Sequence, residues 1–176
     1  ESHWKSDDMK RAISITSFKN PNTTCEVLRV DDSYPGEGKT KDGHSLHGYK
    51  IISAAEALNS ALRKELSSII ENHDTYLRNA IPMDCLFRPG VAFRFIDQQN
   101  QVDLLVCFSC NELRYYLDGK VVDQSYFKSQ ELRSLVQGLF PKDEKIKSFK
   151  QFAFFESREG FNYKSNLTPS PLGLFL

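Results

Sequence analysis

The chain has 176 residues, 40% hydrophobic and 26% charged, the size and make-up of one globular domain rather than of a disordered or two-domain protein. Its 23 basic residues balance its 23 acidic ones, which leaves no electrostatic footprint for nucleic acid. No apolar run approaches the roughly eighteen residues that span a bilayer, and the opening Glu1-Ser2-His3-Trp4, without methionine, is expected of a trimmed or mature form.

In chain order, residues 1–12 read as an extended terminus. Cys25 to Val30 is β-branched and alternating, hence a strand. Asp31 to Gly48 lacks periodicity and reads as a solvated loop, followed by a short strand at Tyr49–Ile52. Ser53-Ala54-Ala55-Glu56 has the form of a capping box. Behind it Ala55, Leu58, Leu62, Leu66 and Ile69 make one apolar stripe, predicting a helix over Ser53–Glu71.

Cys85–Ile96 and Val102–Tyr116 are rich in aromatic and β-branched residues, and the polar turn Asp97–Asn100 between them predicts a β-hairpin. Asp118-Gly119 is a second tight turn, returning the chain through Lys120–Val122. Ser129 is placed to cap a second helix with Leu132, Leu135, Val136 and Leu139 on its buried side, stopped by Pro141. A short helical turn is expected between Pro141 and Phe149. Phe152–Phe155 reads as an edge strand and residues 165–176 as an extended, apolar terminus. The expected architecture is a single α+β domain: a mainly antiparallel sheet of about five strands with two principal helices.

If Asp97 faces Asn100, facing residues of the hairpin sum to 197, so Arg94 lies opposite Asp103 and a cross-strand ion pair is expected. Pro89-Gly90 is a bulge signal, and a slip of about two residues there brings Cys85 opposite Cys110. Cys107 and Cys110 sit three apart, on opposite faces of a straight strand unless the chain bends at Ser109–Asn111.

Three readings of Cys85, Cys107 and Cys110 follow. They are buried small residues or a structural disulfide. They are a thiol redox site, Cys107 and Cys110 with Cys85 as the resolving thiol, although no helix amino end activates it. Or they hold zinc, the fourth ligand coming from His44 or His47. No nucleophile elbow or phosphate-binding glycine loop occurs. Asn22-Thr23-Thr24 and Asn166-Leu167-Thr168 match the glycosylation pattern.

Cys85, then Val102 through Cys107-Phe108-Ser109-Cys110, Glu112-Leu113-Arg114-Tyr115-Tyr116 and Leu139-Phe140-Pro141 together resemble a family of uncharacterised bacterial proteins with a Cys…Cys-Phe-x-Cys order and a Leu-Phe-Pro ending. The resemblance spans about Tyr49 to Ile146. It implies an exported or lipoprotein-like protein of the cell envelope and carries no activity. On this reading the chain is a non-enzymatic domain with structural cysteines and no cofactor, binding a protein or small molecule and not nucleic acid. An oxidising compartment favours the disulfide over zinc or free thiols.

Overall fold

The computed structural model describes residues 6–33, 44–77 and 85–149. The chain forms α1 (Asp7–Thr16), β1 (Thr24–Arg29), β2 (Ser45–Leu46), β3 (Tyr49–Lys50), β4 (Glu56–Ala57) and α2 (Ser60–Glu71). After a 3₁₀ turn at His73–Thr75 come β5 (Val91–Ile96), β6 (Gln101–Cys107), β7 (Glu112–Leu117), β8 (Lys120–Tyr126), α3 (Gln130–Leu139) and α4 (Glu144–Lys147). Six strands make one antiparallel sheet in the order β4-β1-β5-β6-β7-β8, and β2 and β3 form a separate small hairpin. The fold is the expected α+β domain, with six strands in the main sheet instead of five and three longer helices instead of two.

Alternation along the strands divides the sheet into two faces. Val91, Phe93 and Phe95 of β5, Val102, Leu104 and Val106 of β6, and Leu113, Tyr115 and Leu117 of β7 point to one side. There they meet Met9, Ala12 and Ile15 of α1, Leu66, Ile69 and Ile70 of α2, Leu132, Leu135 and Val136 of α3, and Ile146 of α4. This is the main core. The opposite face carries a smaller cluster of Val30, Leu46, Tyr49, Phe87, Ala92, Leu105, Cys107, Cys110 and Tyr116.

The turns set the register. Asp97 and Asn100 close the β5–β6 hairpin, with Arg94 paired to Asp103 as the sum of 197 requires. Asp118 and Gly119, both at positive φ, make the two-residue turn between β7 and β8, and His47 and Gly48 do the same between β2 and β3.

Four expectations are corrected. Residues 1–12 are not extended throughout: from Asp7 they enter α1, where Ser6 accepts from the Met9 amide and Met9, Ala12 and Ile15 recur every third residue on the buried side. The capping box at Ser53 is not used. Ser53 Oγ instead accepts from the Arg29 amide, Glu56–Ala57 pair with β1, and Asn59 Oδ1 caps α2 through the Leu62 amide. Sheet pairing outcompetes the local helical signal. Val102–Tyr116 is two strands reversed at Phe108–Asn111. Ser45–Leu46, read as loop, is β2. The edge strand expected at Phe152–Phe155, the terminus at 165–176 and Asn166 lie outside the described residues.

Candidate functional site

The second face holds every sequence-nominated residue that the structure brings together. Directly paired residues share a face, so Glu26, Arg94, Asp103, Tyr116 and Val121 form one row across β1, β5, β6, β7 and β8. Asp103 is its centre. The carboxylate is buried, and Oδ1 accepts from Arg94 Nε at 2.9 Å while Oδ2 accepts from Gln101 Nε2 at 2.8 Å. Oδ2 also meets His47 Nε2 at 2.8 Å, and the His47 ring stacks on Tyr116 with centroids 3.6 Å apart. Burial works to raise the Asp103 pKa, but the hydrogen bonds from His47, Arg94 and Gln101 outweigh it and hold the carboxyl below its ordinary value.

The Arg94 partner was legible from the hairpin register. His47 was not, because His44-Ser45-Leu46-His47 reads as loop. The signal lay in His47-Gly48: a pair at positive φ between short alternating segments is a hairpin tip, and the tip delivers His47 onto the sheet. His44 stays at the base of that hairpin, where its carbonyl accepts from the Ile51 amide.

One row further on, Ala92, Leu105 and Arg114 lead to the cysteines. The main ladder ends at Val91–Val106, and the chain leaves the sheet through Pro89 and Gly90. That departure, rather than a two-residue slip within the ladder, carries Cys85 to Cys110. The two are joined by a disulfide with Cα atoms 5.7 Å apart. Phe87 lies between the Arg114 guanidinium, 3.8 Å above its ring centroid, and Tyr49, whose hydroxyl donates to the Phe87 carbonyl at 3.2 Å. Arg114 is paired to Glu112 at 2.7 Å. Burial pushes Tyr116 above its ordinary pKa, with Arg114 acting against that rise, and pushes Tyr49 up to about 12.

Cys107 is fully buried with a free thiol, 3.4 Å from the Arg88 amide, which donates to it, and 3.2 Å from Ser109 Oγ. The turn at Phe108–Asn111 resolves the odd spacing of Cys107 and Cys110 by reversing the chain, so both reach the same cluster. Cys85, Cys107 and Cys110 are therefore neighbours. Cys25, the fourth cysteine, faces the main core, where burial drives its thiol up to about 12.

The zinc arrangement asks for Cys85, Cys107 and Cys110 as thiolates with His44 or His47. In the bridged form two of these sulfurs are bonded to each other, and His47 is turned to Asp103. Among the described residues no group of three or more His, Cys, Asp or Glu side chains is gathered as a metal cage. No described helix is long and apolar enough to cross a membrane. A scan of protein-family models, a search of curated proteins and a search of solved structures each return no match to this chain.

Proposed function

We propose that this protein is a non-catalytic domain of an oxidising, extracytoplasmic or envelope-associated compartment. It binds a protein or small-molecule partner through its second sheet face beside Asp103, and Cys85–Cys110 is a structural staple. The observation that carries the reading is the state of the polar groups on this face. Asp103 is saturated by three donors, His47 is committed to Asp103 and Tyr116, and Cys107 is buried. A general base or nucleophile must reach its substrate, and here the Asp103 carboxylate and the Cys107 thiol are buried while the His47 ring is held between Asp103 and Tyr116.

The location rests on the disulfide, since such bonds persist in oxidising compartments and are rare where glutathione keeps thiols reduced. At the β8 end of the Asp103 row Val121 is 49% exposed, and next to the staple Leu86 is 55% exposed. We take these two exposed side chains as points of apolar contact with the partner.

The test counts thiols. Protein isolated without reductant and denatured in an alkylating agent is expected to label at two cysteines, Cys25 being one of them. Four labelled cysteines would remove the staple and with it the argument for compartment. A substrate panel giving turnover that vanishes in Cys107→Ser would overturn the non-catalytic reading. The second reading is a thiol redox or zinc role for Cys85, Cys107 and Cys110. It is favoured by one observation, that Cys107 keeps a free thiol in the cluster that holds the bond. Metal analysis of reduced protein, with about one zinc equivalent as the positive result, separates the zinc form of it.

A further inference from the structure

Three sulfurs line one short piece of backbone. Cys110 Sγ lies 3.1 Å from the Leu86 carbonyl oxygen, Cys107 Sγ takes the Arg88 amide at 3.4 Å, and Cys85 begins the same stretch. Cys107 and Cys110 belong to one tight reversal, three residues apart, and both are buried in the second cluster. A structural staple requires two cysteines. This one has a third, with a free thiol, the Arg88 N–H donating to its sulfur and Ser109 Oγ within hydrogen-bond distance of it. A thiol attacks a disulfide as the thiolate, and donors at the sulfur are what that form uses.

The turn that carries Cys110 has a second peculiarity. Asn111 sits at φ 48 in the left-handed region, and both polar atoms of its buried side chain find no partner among the described residues. Unpaired buried amide atoms cost stability, so this turn holds unsatisfied groups that a different arrangement is free to pair.

We propose that the Cys85–Cys110 bond exchanges with Cys107 inside the folded domain, which makes Cys85 a thiol-modification site. Cys107 Sγ, as thiolate, forms a bond to Cys110 Sγ. The Cys85–Cys110 bond breaks, its electron pair goes to Cys85 Sγ, and Cys85 takes up the proton that Cys107 released. One disulfide and one thiol stand on each side of the step, so neither oxidant nor reductant is consumed. The exchange moves the free thiol from a fully buried position, Cys107, to a part-exposed one, Cys85. It also releases the stretch carrying Leu86 and Phe87 from the β6–β7 turn. The staple thereby has two settings, and only the second presents a sulfur to an electrophile or to a foreign disulfide.

Peptide mapping tests this directly. The native, non-reduced chain is incubated with N-ethylmaleimide at mildly alkaline pH, quenched in acid and digested with trypsin. The bridged form joins peptide 79–94 to peptide 95–114, whereas the exchanged form leaves them separate. The expected result is maleimide on Cys85 and an internal Cys107–Cys110 bond within 95–114, with Cys25 unlabelled. In Cys107→Ser and Cys107→Ala, each checked for an intact melting transition, labelling of Cys85 is lost. Label on Cys107 alone, no label before denaturation, or Cys85 labelling that persists in both variants overturns the proposal, and the thiol count given above stands unaffected.

Discussion

The two faces of the sheet are closed by different physics. On the helical face, rings and branched side chains from β5, β6 and β7 meet four helices, and the contacts are apolar and redundant. On the other face the cover formed by the described residues is thin: a two-plus-two-residue hairpin and the stretch from Cys85 to Pro89. It is fastened by directed bonds, namely His47 to Asp103, Tyr49 to the Phe87 carbonyl, Arg114 over Phe87, and the disulfide. A thick apolar layer tolerates loss of one contact by repacking. A thin cover depends on each fastening.

The largest effect is expected on the helical face. Phe93 is fully buried and central there, and Phe93→Ala removes its contacts and leaves a cavity, at a cost of about 3–5 kcal/mol in denaturant melts. Reducing Cys85–Cys110, or replacing both by serine, should cost about 3 kcal/mol, the scale set by a closed loop of this length. The two losses should differ in kind. The ring deletion lowers protection of amides throughout the sheet in hydrogen exchange, whereas loss of the staple deprotects the amides of the cover around Arg88 and leaves β5 and β6 as they were. Equal loss of protection on both sides would break the comparison.

Asp103→Asn comes next, at about 1–3 kcal/mol, because it swaps a charged acceptor for a neutral amide facing Arg94, His47 and Gln101. Its pH dependence has a definite sign. The folded pKa of Asp103 is depressed, so its contribution is fully present above the unfolded value of about 3.9 and lost as the pH falls through the folded value. Acid melts of the wild type and Asp103→Asn should therefore converge below that range; a gap that persists there would remove the carboxylate from the account. The smallest contrast concerns the helices alone. Asn59 makes its cap bond and Ser129 makes none, so Asn59→Ala should cost about 1 kcal/mol and Ser129→Ala less than half of that. Equal shifts would mean that the cap bond is not what separates the two.

Much of the second face was legible from short-range signals. Asp97–Asn100 fixes a register, the register pairs Arg94 with Asp103, and Pro89-Gly90 marks the irregularity that brings Cys85 to Cys110, although as a departure from the sheet and not as the expected slip of two residues. Two features were hidden for one physical reason. Ser53–Glu56 has a strong local helical signal, yet β1 offers Glu56 and Ala57 a pairing edge, and that edge is visible only once the sheet exists. His47 likewise acquires its role from strands more than fifty residues downstream. Helix α1 was missed differently: its every-third-residue pattern is brief, and Ile13-Ser14-Ile15 breaks the reading of a single face.

The strand order has a temporal implication. From β5 to β8 each strand pairs with the next through a short turn, so this meander closes with little loss of chain entropy. Strand β1 pairs with β5 across more than sixty intervening residues, and β4 then joins the outside of β1. Strand β1, though made before the meander by the ribosome, is therefore expected to enter the sheet after β5–β8 have paired, with pulse-labelled amides of Leu104 and Leu113 gaining protection ahead of that of Val27.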